Sequence, residues 1–167
     1  MSPLPSTLVL DNAAISTLQE AGALARVLEF WPGGWLVPIE VMGEAAAWKA
    51  HGANVTATLR ALAASGVVEI GAIVPQTEGR TFADLQRTLG QGESAAIAIA
   101  YHRNLVVCLD DRRARRACER LSPPVQWCPT EEILAQAVRD HLTTRAEAEA
   151  IWHATGIRDP KRGIPPT

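Results

Sequence analysis

Apolar positions along the chain follow two different periods, and the switches between them mark the elements. Five short runs are continuous or nearly so and rich in β formers: 7–11 ("TLVLD"), 35–38 ("WLVP"), 67–74 ("VVEIGAIV"), 105–110 ("LVVCLD") and 125–128 ("VQWC"). Short apolar runs bounded by Gly, Pro, Asn or Asp read as strands. The alternating front half of 67–74 marks that strand as an edge. Between the strands the spacing is helical. One helical pattern runs from Ala13 to about Phe30 with a break near Gly22, and others cover 39–51, 54–65, 80–90, 93–104, 112–121, 131–142 and 144–156. Asn54 and Thr130 stand where an N-cap belongs, and Gly66 where a helix stops. Residues 157–167 form a Pro/Gly tail, expected to be mobile.

Strands that alternate with helices predict an α/β fold. The runs "LVL" and "LVVCL" are apolar without alternation, as a parallel sheet covered on both faces requires. Length bounds the picture to one domain: 167 residues, 47% apolar and 20% charged, with a net charge of −2 that excludes a globally basic nucleic-acid binder. Cys108, Cys118 and Cys128 form no metal-binding spacing, and their odd number argues for free thiols in a reducing cytoplasm. The N-terminal stretch has neither the basic nor the long apolar region of a signal peptide, and no run approaches a membrane span.

The acids change the picture. Asp11 ends the first strand, and Asp110 and Asp111 end the fourth. In an open parallel sheet those ends share one edge, where ligands bind. Glu44 in "VMGEAAAW" and Glu93 after "GQG" border apolar helical stripes that face the sheet. Each acid has an ordinary explanation: Asp11 and Asp110 or Asp111 as helix caps, Glu93 as a first-turn residue favoured by the helix dipole, and Glu44 as a solvated residue at the edge of its stripe. Their coincidence at matching ends of strands and helices is harder to explain that way. Two unit charges at ~4 Å repel by about 4 kcal/mol at an effective dielectric near 20. Such a cluster needs protonation or a divalent cation between its members. Oxygen ligands without His or Cys suit Mg²⁺ or Mn²⁺, the ions of phosphate chemistry.

At these residues the sequence resembles a known family. "LVLDNAAISTL", "VPIEVMGEA", "GQGESAAIAIA" and "LVVCLDDRRARRA" look, in that order, like the four motifs of PIN-domain ribonucleases, closest to a subgroup with "GE-x-x-AI-x-x-A" before "DDR-x-AR". The resemblance implies a three-layer α/β/α sandwich with a mostly parallel sheet of four to five strands, filling a domain over 1–156. It implies a Mg²⁺- or Mn²⁺-dependent endoribonuclease, with Asp11, Glu44, Glu93 and Asp111 as catalytic residues. Asp11, Glu93, Asp111 and Asp110 are the expected metal ligands. Glu40 is an alternative to Glu44, and Asp110 to Asp111. Many relatives are toxins of toxin–antitoxin pairs and homodimers, so an antitoxin partner and a homodimer are expected as well. Asp110 departs from the commoner polar pair before the last acid, and the chain runs some 35 residues past the last strand.

The helix 112–121 carries five arginines. Arg112 and Arg115, nearest its start, are the expected contacts to RNA phosphates. Trp31 and Trp35 flank a Gly-rich loop and could stack on bases, although core packing is the ordinary role of tryptophan. Two rival folds with acids at strand ends lack their partners here. A receiver domain needs an acid pair after the first strand, and an aspartyl-phosphate phosphatase needs an aspartate at position 13, where Ala13 stands. A non-catalytic module that binds RNA or a partner is the other reading left open.

Overall fold

A computed structural model describes residues 7–159 and 161–165. The stretch 1–6, read above for a signal segment, and tail positions 160, 166 and 167 lie outside the described residues. The five apolar runs form β1 (Leu8–Leu10), β2 (Trp35–Pro38), β3 (Val68–Gly71), β4 (Val106–Cys108) and β5 (Trp127–Cys128). They make one parallel sheet in the order β3-β2-β1-β4-β5. β3 is an edge, as its alternation predicts. Side chains alternate across the sheet, so β1 sends Leu8 and Leu10 to one face and Val9 to the other.

Nine helices cover the two faces among the described residues. α1 (Asn12–Glu20), α2 (Leu24–Phe30), α3 (Ile39–Ala46), α4 (Gly52–Ala64), α8 (Thr130–Arg139) and α9 (Arg145–Ala154) pack with Leu8, Leu10, Val37 and Cys108. α5 (Gly79–Leu85), α6 (Gln91–Arg103) and α7 (Arg112–Arg120) pack with Val9, Leu36 and Val107. This is the expected three-layer α/β/α sandwich. None of the described helices is long and apolar enough to cross a membrane.

Several local expectations shift. α3 stops at Ala46, short of residue 51, and α4 begins at Gly52 behind His51 at φ +131°. Asn54 is therefore inside α4 and caps nothing. The cause is a tight reversal: a Cβ on Gly52 would stand 2.7 Å from the Ala45 carbonyl oxygen, so only glycine lets α4 start there. Thr130 is the first residue of α8 rather than its cap, which is Pro129. Its hydroxyl is spent on Asp110 instead. All three cysteines are free and buried. Trp31 and Trp35 are core residues, with ring centroids 5.8 Å apart and the Trp35 indole N–H on the Leu28 carbonyl at 3.0 Å.

Candidate active site at the carboxylate edge

β1 and β4 are neighbours, paired Leu10 to Cys108, yet their following helices lie on opposite faces. The order of the sheet reverses between them, which opens a crevice at their C-terminal ends. β1 runs straight into an aspartate that caps the next helix, and β4 reaches one after Leu109 and Asp110. Asp11 caps α1, with Oδ1 accepting from the Ala14 N–H at 2.8 Å. Asp111 caps α7, with Oδ1 accepting from the N–H groups of Arg113 at 2.7 Å and Ala114 at 3.1 Å. Capping uses one oxygen and leaves the other. In Asp11 the remaining Oδ2 is buried and has no hydrogen-bond partner.

That orphan oxygen is costly as a carboxylate. Burial pushes the Asp11 carboxyl well above the usual range, and the charges of Asp110 and Glu93 add to it, against the Ala14 and Ala13 N–H groups. Glu93 is raised in the same way, first by burial and then by Asp111 and Glu44, against the Gly90 N–H and Arg113. Glu93 also closes the start of α6, where its Oε2 accepts from the Gly90 N–H at 3.3 Å. The mutual repulsion ties Asp11, Glu44, Glu93, Asp110 and Asp111 into one electrostatic neighbourhood, assembled from four remote segments.

Their hydrogen bonding divides them. Glu44 has both oxygens occupied: Oε1 accepts from the Gly92 N–H at 2.8 Å and Oε2 from Asn12 Nδ2 at 3.0 Å. Glu40, one turn earlier, has a buried Oε2 with no partner. Asp110 is fully engaged. Its Oδ1 accepts from the Thr130 N–H at 3.2 Å and from Arg162 Nη2 at 2.6 Å, and its Oδ2 from Thr130 Oγ1 at 2.6 Å. Arg115 Nη2 adds a looser ion pair at 3.6 Å. An open cavity of about 350 Å³ is bordered by Asn12, Ser16, Glu44, Trp48, Gly90 and Glu93. A larger hollow of about 690 Å³ at the α8–α9 turn gathers none of these acids.

The two arginines singled out in the sequence part ways. Arg112 is exposed at the start of α7. Arg115 turns inward, with Nε on the Leu109 carbonyl at 2.9 Å and its guanidinium 4.8 Å from the Trp127 ring. Arg113 reaches the Thr88 carbonyl. Three participants had no role in the site assigned from the sequence: Asn12, which holds Glu44, and Thr130 and Arg162, which hold Asp110. Only Asn12 left a signal, as a polar neighbour of Asp11 facing the same edge.

The donor chemistry fits a hard dication: carboxylate oxygens only, one of them buried without a partner. The side chains are drawn to one edge but do not close on a point. Among the described residues, no three Asp, Glu, His or Cys groups stand within reach of a common ion.

No curated protein matches the chain. A family model described as a PIN domain matches residues 7–151, from β1 to within α9. PIN domains carry a nuclease-type fold and typically use divalent metals. The chain belongs to the PIN-domain family.

Proposed function

We propose that the protein is a metal-dependent endoribonuclease that hydrolyses phosphodiester bonds of single-stranded RNA at the carboxylate edge. The observation that carries this is the buried, unpartnered Oδ2 of Asp11, flanked by the charges of Glu93 and Asp110. A protein that needed only a helix cap there could use Ser or Thr without burying a repelled charge. Asp11, Glu93 and Asp111 would each turn an oxygen not used in capping onto Mg²⁺ or Mn²⁺, the ion drawing the three side chains together. The bound ion would supply an activated water and neutralise charge on the phosphoryl oxygens. Glu44, held by Asn12 and Gly92, fixes the α6 start and keeps Glu93 at the edge. Arg112, exposed beside Asp111, draws in the phosphate backbone.

The family resemblance extends this reading to a homodimeric toxin whose antitoxin covers the acidic edge. The direct test is cleavage of a labelled single-stranded RNA with Mn²⁺ or Mg²⁺. Activity should vanish in EDTA and fall by about a hundredfold or more in Asp11→Asn, the scale seen when a group that stabilises transition-state charge is lost. RNA binding without cleavage, unchanged in Asp11→Asn, would overturn the enzyme. It would leave the second reading, a module that binds RNA or a partner, which the complete engagement of Asp110 favours.

A further inference from the structure

The C-terminal segment lies beyond the 7–151 match, and it returns to the acidic edge. Arg145 of α9 anchors it, with Nη1 on the Pro165 carbonyl at 2.9 Å and Nη2 on the Ile164 carbonyl at 3.2 Å. Arg162 makes the inward contact. Its Nη2 donates to Asp110 Oδ1 and to Glu131 Oε2, both at 2.6 Å, and its Nε donates to Glu131 Oε1 at 2.9 Å. Its guanidinium stands 5.3 Å from the Trp152 ring, and the side chain is 17% exposed. A guanidinium that forks onto one carboxylate, reaches a second and stacks on an aromatic face is held in a single geometry.

We propose that Arg162 is a positioning residue and a resident counter-cation of the acidic edge: it pins Asp110 against Thr130, outside the metal-ligand set, and weakens dication binding at the adjacent Asp11. The inference rests on the dication proposed above. Asp110 and Asp11 follow the neighbouring strands β4 and β1, paired Cys108 to Leu10. Both Asp110 oxygens accept within the protein, in three hydrogen bonds from Thr130 and Arg162. The fixed positive charge of Arg162 cancels part of the field that a dication would feel. Without this arginine Asp110 would keep its Thr130 bonds and the looser Arg115 pair, with its charge less fully neutralised.

The test is Mn²⁺ binding by calorimetry, without RNA, on the full chain and two variants. Arg162→Gln keeps an amide donor for Asp110 and removes the charge; Arg162→Lys keeps the charge and loses the fork. The expected result is Mn²⁺ affinity at least about threefold tighter in Arg162→Gln, with Arg162→Lys close to wild type. A residue that merely braces the fold would loosen metal binding in both variants or leave it unchanged in both, and either result overturns the proposal. Should Arg162→Gln not fold, Arg162→Lys decides alone: affinity away from the wild-type value overturns the role of the charge. Wild type that binds Mn²⁺ without tightening in Arg162→Gln defeats only this inference. Absence of Mn²⁺ binding in every form defeats the dication and the counter-cation together.

Discussion

The Gly92 backbone N–H donates to Glu44 Oε1 at 2.8 Å, and a Cβ on Gly92 would stand 2.7 Å from Glu44 Oε2 and 3.0 Å from Val41 Cγ2. The carboxylate thus lies over a position that only glycine leaves open, and α3 meets the start of α6 through it. Gly92→Ala must push Glu44 off its two hydrogen bonds or lift α6. Overpacking of this kind costs about 1–3 kcal/mol. The melting temperature should fall by several degrees, and RNA cleavage should fall with it because Glu93 shifts. Wild-type melting and activity in Gly92→Ala would show that the contact does not organise the site.

Asp11 ties stability to pH in a direction opposite to most carboxylates. Its folded pKa lies well above the usual value, chiefly from burial and then from Asp110 and Glu93. Its contribution is therefore fully present below about pH 3.9, the ordinary value, and is lost as pH rises through the raised folded pKa. In EDTA at neutral pH, Asp11→Asn should melt higher than wild type, by roughly 2–4 °C per kcal/mol relieved. The gap should close as pH falls. Excess Mn²⁺ should reverse the order, because only wild type gains the full binding energy. Melting curves from pH 4 to 8, with and without Mn²⁺, read both effects.

Arg112 and Arg115 should separate into an RNA contact and a structural residue. Arg112 is exposed, so Arg112→Ala should weaken RNA binding and reduce the slope of log K against log salt by about 0.7, one phosphate contact on a single strand. Arg115 is tied to the Leu109 carbonyl, Asp110 and the Trp127 face. Arg115→Ala should lower stability by about 1–3 kcal/mol and leave the salt slope unchanged. Binding titrations at several salt concentrations, beside denaturant melts, distinguish the two.

The Glu78–Arg103 pair supplies a control away from the site. Glu78 is buried and accepts from Arg103 Nε at 2.7 Å, Arg103 Nη2 at 3.2 Å and the Val74 N–H at 2.7 Å. Burial pushes its carboxyl up, but these bonds outweigh burial and hold it below the usual range. Arg103→Leu leaves that charge unpaired and should cost about 3–5 kcal/mol, with cleavage per folded molecule unchanged. The stabilisation is present above the ordinary carboxylate pKa and lost as pH falls through the depressed one. The difference from wild type should therefore shrink in acid.

What was legible in the sequence is what depends on neighbours along the chain. The buried strands, the edge character of β3, the break at Gly22 and the placement of Asp11 and Asp111 at strand ends all follow from local pattern and topology. The misread features have remote partners. Thr130 has the composition of a cap, but Asp110, twenty positions earlier, takes its hydroxyl. Arg162 sits in a stretch whose Pro and Gly content suggests mobility, and its contact with Asp110 spans 52 positions. Trp31 and Trp35 flank a glycine-rich loop yet pack in the core, the ordinary role expected of them. The buried strand β2 carries Trp35 inward, and Trp48 borders the acidic cavity instead. A side chain's partner across the fold leaves no trace in periodicity.

The central claim is a dication seated against the free oxygen of Asp11. Anomalous diffraction from crystals soaked in Mn²⁺ tests it most directly. The predicted result is a peak in contact with Asp11 Oδ2 and with oxygens of Glu93 and Asp111, while Asp110 remains on Arg162. Crystals that hold Mn²⁺ elsewhere, or none at all beside Asp11 at saturating metal, would contradict the account.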